Sequence, residues 1–396
     1  MPKAQWMSKD LWIIGAGFAA AMHIGKLPAA IPVLQAELGI SFVQSGLLLS
    51  LVQGAGMCFA MLLGSYVEKI GLKKCILIGL MLLTFASTWA AYQHSLTILF
   101  SMRVLEGFGF LLVTLSAPAL IRQLVPAENL SAKMGLWTAY MGGGMGLALL
   151  TAPMIMQHFN WQTVWMTFAS VTAAFFIAIL LAVPQPKKSM QPVQVKSLIA
   201  MTLSHAPAWL LALIFGTYAG QWFALVGFLP SIYEQSHIAP TMAGIFTASV
   251  SIANAFGTFA CGLLLQRGFK AKTLVQTGFA VLLFCALSFY MFKAHLPFIA
   301  QFALVFNFSL WGGLVAANVF AQAFYAAPNP AAISTTIGLI LQISAISQFV
   351  IPPCIAWLVT ASGSWSAAGI TMAVLSAAGI ILSAKLFSGA AMERRS

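Results

Sequence analysis

The dominant feature of the sequence is a succession of apolar stretches, each about 20 residues long, separated by short polar segments. Apolar residues make up 61% of the chain and charged residues only 7%, against about 25% charged in a typical soluble domain. An apolar run of this length matches the thickness of a bilayer, and a helix satisfies its own backbone hydrogen bonds there. The sequence therefore predicts an all-α membrane protein. The first apolar run contains His23 and Lys26 and leads directly into the next, so we expect it to be retained and not cleaved as a signal sequence.

The pattern predicts twelve transmembrane helices, with boundaries at residues 11–34, 43–66, 74–93, 96–121, 132–157, 162–183, 207–233, 241–264, 272–292, 296–325, 332–359 and 364–388.

An internal repeat divides the chain in two. An offset of about 198 residues, half the chain length, relates Gly64 to Gly262, and the same offset takes Pro32 to Pro230. Such tandem repeats build one class of secondary transporter. We therefore predict two pseudo-symmetric six-helix bundles, residues 1–183 and 207–396, joined by a polar cytoplasmic linker at 184–206 that carries three prolines and three lysines.

Positive charge is distributed unequally between the two sides of the predicted membrane. Sixteen of the nineteen Lys and Arg residues fall on the side of the N-terminus, whereas Lys293 stands alone on the other side. Under the positive-inside rule this predicts cytoplasmic N- and C-termini. The net charge of +12 thus reports orientation, and we expect no nucleic acid partner. The short loops favour a bacterial inner (plasma) membrane.

The connection between the second and third predicted helices carries a recognisable motif. It reads Gly64-Ser-Tyr-Val-Glu68-Lys69-Ile-Gly71-Leu-Lys73-Lys74, and we expect its two glycines to reverse the chain between helices. The motif resembles the signature between helices two and three of the major facilitator superfamily, although Glu68 replaces an Asp and Lys69 an Arg. A weaker copy at 262–272 contains Arg267. The resemblance implies a conformational latch, formed by Gly64, Glu68, Lys69, Gly71, Lys73 and Arg267, that holds the cytoplasmic side closed.

A second motif, Arg103-Val-Leu-Glu106-Gly107-Phe-Gly109, resembles the helix-four signature of the same superfamily. That resemblance implies that Arg103 faces the transport path and handles substrate or protons. The glycine-rich fifth helix lacks the Gly-Pro pair of the superfamily's antiporter motif, because Ala152 precedes Pro153. Export is therefore not supported by this helix.

Very few ionisable residues lie within the predicted helices, and such residues are the natural candidates for function because a lone charge in lipid is costly. Lys26 is about 22 Å from the cytoplasmic end of helix one and Arg103 about 10 Å from the outer end of helix four, so their depths nearly coincide. We expect both to bind substrate in one water-filled cavity. Glu106 and His23 share their helix faces and are the candidates for proton coupling. Two alternatives remain open: Arg103 and Glu106 form a buried pair that only locks the helix, or Lys26 snorkels to the outer surface.

In the second half, the positions matching helices one and four carry no charge. In the superfamily, helices one, four, seven and ten line the central cavity. This implies an aromatic and amide-bearing wall opposite the cationic one, although the tryptophans are equally consistent with packing. The predicted substrate-binding residues there are Tyr218, Gln221, Trp222, Asn307 and Trp311, with Gln342 and Gln348 in helix eleven as weaker candidates.

The remaining signals exclude other classes. The five cysteines and the loop histidines match no metal-binding spacing. We find no nucleotide-phosphate loop, nucleophile elbow or paired catalytic carboxylates. The prediction is accordingly a transporter and not an enzyme, without cofactor or metal, and monomeric in the lipid bilayer. Its predicted partner is a small-molecule substrate, with protons as a further candidate.

Three functional classes compete. Lys26 and Arg103 favour uptake or exchange of a small organic anion, with a symport scheme if Glu106 carries the proton. The aromatic, Met-rich interior favours proton-coupled export of amphipathic compounds such as drugs or siderophores. A non-transporting sensor or assembly factor would need a soluble appendage, for which we expect no room at either end of this sequence.

Overall fold

The computed structural model describes residues 9–93, 95–184, 195–329 and 332–388; within these, the side chains of a few residues, Glu68 and Lys69 among them, are also outside the description. The described residues form fifteen α-helices and no strands. They are α1 Lys9–Leu38, α2 Phe42–Ser50, α3 Gly54–Ile70, α4 Leu72–Ala91, α5 Leu96–Leu124, α6 Ala127–Thr138, α7 Tyr140–His158, α8 Trp161–Ala182, α9 Val195–Leu203, α10 Ala206–Glu234, α11 Pro240–Gln266, α12 Ala271–Phe292, α13 Phe298–Ala326, α14 Ile333–Ser362 and α15 Ser366–Phe387.

These helices form the twelve predicted membrane segments. Eleven segments of the described chain are long and apolar enough to cross a bilayer. The twelfth consists of α6 and α7, which are separated by a break at Ala139. Helices α1 to α8 build the first six-segment bundle and α10 to α15 the second, as the repeat predicts. Large apolar side chains such as Leu181, Ile299 and Ile381 are largely exposed on the outside of the bundles. This is the surface expected of a multi-pass membrane protein.

Two features were missed by the sequence analysis. The second segment is broken by a 3₁₀ turn, Leu51–Gln53, between α2 and α3. The predicted linker contains a helix, α9, whose Thr202 lies 2.6 Å from Thr335 at the start of α14; residues 185–194 of the linker lie outside the described part. Neither feature changes the apolar periodicity of its segment, so the sequence gives no warning of either.

We call the end of the bundles that carries Lys73, Lys133 and Arg267 the basic face, and the opposite end the far face. At the basic face, the expected two-glycine turn is wrong for Gly64, because α3 continues through it to Ile70. Only Gly71, with φ 110°, reverses the chain, and a positive φ of this kind suits glycine. Gly268, with φ 85°, does the same after α11, so the repeat extends to the backbone of the turns.

Lys73 was predicted to belong to the latch, but its side chain has a local partner. Its Nζ donates to the carbonyl oxygens of Leu180, at 3.0 Å, and Val183, at 2.5 Å. These are acceptors at the C-terminal end of α8, where a cation is favourable. Lys73 therefore holds α4 to α8 within the first bundle. The latch role of Gly64, Glu68, Lys69, Gly71, Lys73 and Arg267 stays a prediction.

The two bundles meet along two seams. In one, α2 and α3 pack on α14, where the side-chain amide of Gln53 donates to Gln348 Oε1 at 3.0 Å. In the other, α7 packs on α11, where the hydroxyl of Ser251 donates to the carbonyl of Gly142 at 3.0 Å. Gln53 and Ser251 are related by the 198-residue repeat. Each seam thus has a hydrogen bond near its middle, and the two donors occupy the same position in the two repeats.

Candidate functional site

Four ionisable side chains come together inside the first bundle. His23 and Lys26 lie one turn apart on α1, and Arg103 and Glu106 lie one turn apart on α5. All four are at most 3% exposed. We refer to these four residues as the charge cluster. Gly107 allows α5 to reach this position, since a side chain there would collide with the carbonyl of Val52 in the 3₁₀ turn.

Glu106 is the centre of the charge cluster. Its Oε1 accepts from Lys26 Nζ at 2.5 Å, and its Oε2 accepts from Arg103 Nη1 at 2.6 Å. Each carboxylate oxygen therefore has its own cation, and the acid joins α1 to α5. Charge-assisted hydrogen bonds of this kind are among the strongest that a protein interior contains.

Each of the three N–H groups of the Lys26 ammonium has a partner. Besides Glu106, its Nζ donates to the hydroxyl of Ser87 at 2.7 Å and contacts His23 Nδ1 at 3.2 Å. The Ser87 hydroxyl in turn donates a hydrogen bond to the carbonyl oxygen of Trp165 at 2.9 Å. The Trp165 ring lies under the ammonium, with its centroid 4.7 Å away, at which distance a cation is attracted to the ring face. Lys26 therefore points into the bundle between α4, α5 and α8.

The hydrogen bonds assign the tautomer of His23. The hydroxyl of Thr172 donates to the carbonyl of Phe168, so its oxygen accepts from His23 Nε2, 2.6 Å away. This leaves Nδ1 as the acceptor that faces Lys26. Nδ1 also lies 3.4 Å from Glu106 Oε1. His23 is thus a neutral imidazole that touches both the cation and the acid.

Arg103 is the one member of the charge cluster with an unused donor. Its Nη1 also donates to the carbonyl of His23 at 2.6 Å, and its Nε donates to the carbonyl of Leu48 at 3.4 Å. Its Nη2 is buried and has no acceptor among the residues that the structure describes. Arg103 and Glu106 line a small cavity inside the first bundle, whose other walls include Leu27, Leu48, Leu99 and Met102.

The prediction that Lys26 and Arg103 face one cavity is wrong for Lys26 in this conformation. Its side chain is fully buried and does not line the cavity that Arg103 lines. Snorkelling to the surface is excluded by the same contacts. The Arg103–Glu106 contact predicted from their spacing is present, but the bond between Lys26 and Glu106, 80 residues apart, was missed. The matching depths of Lys26 and Arg103 were the signal that pointed to it.

The second bundle repeats the scaffold of the charge cluster without its charges. Gln221, which corresponds to His23, accepts from the hydroxyl of Ser376 at 3.0 Å, as His23 pairs with Thr172 on the corresponding helix. Helices α5 and α13 begin 202 residues apart, so Arg103 and Glu106 correspond to Val305 and Phe308. These two line a second small cavity that is mainly apolar.

The five candidates of the second half do not form one wall. Tyr218 and Trp222 are buried on α10, where the Tyr218 hydroxyl accepts from Asn254 at 2.6 Å and the Trp222 indole donates to Ser309 at 2.8 Å. Asn307 is exposed and donates back to Ala303 of its own helix. Trp311 packs between the main core and a small apolar cluster beside α11 and α12.

The separation has a simple helical cause. Two residues along a helix amount to roughly half a turn, so Asn307 and Trp311 lie opposite Ser309, the residue that faces α10. None of the five side chains contacts the charge cluster, which lies wholly in the first bundle. Among the described residues there is no group of three His, Cys, Asp or Glu that could hold a metal ion.

The helix order, the two bundles and a buried charge cluster at membrane depth define the class of the protein as a polytopic transporter fold. The family profile of the Major Facilitator Superfamily matches residues 13–352. The chain therefore belongs to the Major Facilitator Superfamily.

Similar proteins differ in the function that their names state. The chain is 24% identical over 254 residues to the cyanate transport protein CynX of Escherichia coli (strain K12), and this alignment covers 62% of this chain and 63% of CynX. It is 26% identical over 222 residues to the methyl viologen resistance protein SmvA of Salmonella typhimurium, covering 55% and 42% of the two chains. The chain thus spans less than two thirds of the length of either relative.

A solved structure shares the fold over nearly the whole chain. It is a bacterial homologue of the human lysosomal transporter Spinster, in an inward-facing and occupied conformation, with a TM-score of 0.77 at 13% identity. The superposition covers 98% of this chain and 96% of that one.

Proposed function

We propose that this protein is a secondary active transporter that moves a small organic anion across the membrane by alternating access, in symport with protons. The observation that carries the proposal is the composition of the charge cluster. It contains two cations, Lys26 and Arg103, for one carboxylate, Glu106, with His23 neutral. An excess of positive charge at membrane depth is costly unless an anion compensates it.

The similarity to a cyanate transport protein supports an anionic substrate. Uptake is the preferred direction, because the glycine-rich helix lacks the antiporter pattern.

The two bonds of Glu106 support proton coupling. While ionised, the carboxylate engages both Lys26 and Arg103. A proton on Glu106 removes one acceptor, and the released cation becomes available to a substrate anion. Loss of that proton restores both bonds and expels the anion. Proton and anion then travel in the same direction, which is symport.

His23 is the second candidate for the coupling proton. A proton on Nδ1 would turn that atom from an acceptor for Lys26 into a donor to Glu106 Oε1, which lies 3.4 Å away. Lys26 is then released as it is by a proton on Glu106, because its ammonium loses one hydrogen-bond acceptor.

We assign the basic face to the cytoplasm of a bacterial cell and the fold to its inner (plasma) membrane. Sixteen of nineteen Lys and Arg residues support this orientation. The two bundles rock about the middle of their seams, near the Gln53–Gln348 and Ser251–Gly142 bonds.

Export of amphipathic compounds is the alternative function. The similarity to a methyl viologen resistance protein and the buried aromatic residues Tyr218 and Trp222 favour it. The excess positive charge of the first bundle, however, would repel a cationic compound. We therefore prefer an anion as the substrate.

Transport by the purified protein in proteoliposomes distinguishes anion transport from export of amphipathic compounds. Vesicles are loaded with unlabelled cyanate, formate, lactate or a lipophilic cation, and entry of the labelled compound by counterflow is recorded. We expect counterflow for at least one anion and for no cation, and accumulation of that anion under an inward proton gradient. Counterflow of cations alone would replace the anion proposal by the export proposal.

A further inference from the structure

We propose that the cavity beside Arg103 is a binding site for a small monovalent anion, held inside the first bundle by the Arg103 guanidinium. The site extends the proposed function, with which it shares Arg103, but it does not require that the bound anion be transported.

The first argument is the unused donor. Arg103 is 3% exposed, and its Nε and Nη1 have acceptors, whereas Nη2 has none among the described residues. A buried guanidinium N–H without an acceptor costs free energy on the scale of a lost hydrogen bond to a charged group. The cavity lined by Arg103 is where an acceptor can sit.

The second argument is charge. The charge cluster contains two cations that are both hydrogen-bonded to one carboxylate. The hydrogen bonds of His23 assign it as a neutral imidazole. One negative charge beside Arg103 therefore neutralises the cluster. A divalent anion would reverse the sign of the excess and bring a second charge into an apolar environment, which is again unfavourable.

The third argument is the small size and the apolar lining of the cavity. The cavity is about as large as one water molecule, and Leu27, Leu48, Leu99 and Met102 form much of its lining. Such a wall offers no hydrogen bonds to replace the hydration shell of phosphate or sulfate. A halide, or the end of an anion of a few atoms such as formate or nitrate, needs only the one donor that Arg103 offers.

The second bundle supplies a matched control. The corresponding void in the second bundle is too small for a water molecule, and it is lined by Val305 and Phe308 where the first cavity has Arg103 and Glu106. Ala90 lines the first cavity and Ala286 lines the second, and both are 2% exposed. Substituting Val for either alanine narrows one cavity and adds the same volume to the protein.

The test is thermal unfolding of the full-length purified protein at constant ionic strength, with gluconate replaced by chloride, formate or nitrate. We expect a saturable rise of the unfolding midpoint by a few degrees with these anions and no saturable rise with sulfate or phosphate. The rise should vanish in Arg103→Lys, which keeps the charge but lacks Nη2, and in Ala90→Val, and should persist in Ala286→Val. If Arg103→Lys does not fold, the two alanine variants decide.

An absent rise in the wild type, or an equal rise in both alanine variants, overturns the site. Exchange of ¹⁴C-formate in proteoliposomes then distinguishes the source of the anion. Saturable binding with exchange supports a transported substrate. Saturable binding without exchange for any anion supports the site as the place of a resident counter-ion and contradicts the proposed function. Exchange without saturable binding contradicts the site and leaves the proposed function standing.

Discussion

Lys26 Nζ and Glu106 Oε1 lie 2.5 Å apart between the first and fifth helices of the chain, at a depth where neither side chain reaches solvent. The pair is one half of a bridge, since the other oxygen of Glu106 holds Arg103. Removing either cation leaves a neutral pair, whereas removing Glu106 leaves two positive charges, so substitution separates the role of the acid from that of the cations.

Glu106→Gln removes the negative charge from between two cations. We expect gradient-driven accumulation of the anion to be lost while counterflow, which needs no coupling, persists. The variant should also be less stable by about 3–5 kcal/mol, the usual cost of breaking a buried ion pair. The two transport assays on the same vesicles check this, and full gradient-driven accumulation by Glu106→Gln would show that Glu106 is not the coupling residue.

Lys26→Met leaves Glu106 and Arg103 as a neutral pair. Because the excess positive charge has gone, we expect KM for the anion to rise at least about tenfold, which corresponds to about 1.4 kcal/mol. The variant should also be less stable, because His23 Nδ1, Ser87 and Glu106 Oε1 lose a buried donor. The measurement is initial uptake rate against anion concentration. Lys293→Met, which removes the lysine near the far face, is the control and should keep the wild-type KM; an unchanged KM in Lys26→Met would place substrate recognition elsewhere.

Gly46 lies on the seam between the bundles at the far face, where a side chain would press against Pro353 and Ala356 of α14. Gly46→Trp should wedge the bundles apart at that face and stop transport while leaving each bundle folded. Labelling of a cysteine introduced at Gln157, on the same face, should become faster. Gly262→Trp is the control, because no atom lies within 4 Å of the position of its Cβ. Normal transport by Gly46→Trp would argue against closure at this seam.

Lys73→Met tests whether Lys73 is a helix cap or part of the latch. Its bonds to Leu180 and Val183 at the end of α8 predict a loss of stability of about 1 kcal/mol and an unchanged transport rate. Unfolding midpoint and counterflow rate are measured on the same preparation. A slower rate with an unchanged midpoint would support the latch that the motif implies.

The sequence predicts the fold well because lipid leaves the backbone few choices. Twelve apolar stretches of sufficient length, the 198-residue repeat and the sparse charges were sufficient for the bundles and for the four members of the charge cluster. What could not be predicted depends on contacts between helices. Ser87, Thr172 and Trp165 complete the cluster, yet such residues are common in apolar helices and carry no signal of their own.

The same limit explains the misplaced residues of the second half. Asn307 and Trp311 looked equivalent to Tyr218 and Trp222 by residue type and depth. Which face of α13 meets α10 is decided by packing, in which Ser309 and Gly312 approach α10 closely and Asn307 turns away.

The correspondence of Arg103 and Glu106 with Val305 and Phe308 has a consequence for the ancestry of the chain. Two halves of one architecture descend most simply from duplication of a single gene, after which each copy is free to change on its own. Among the described residues, the buried charges all lie in the first copy, and the second copy has apolar side chains at the matching positions. If the charge cluster recognises the substrate, as we propose, changes in specificity should accumulate in the first half, while the second half is constrained chiefly by shape.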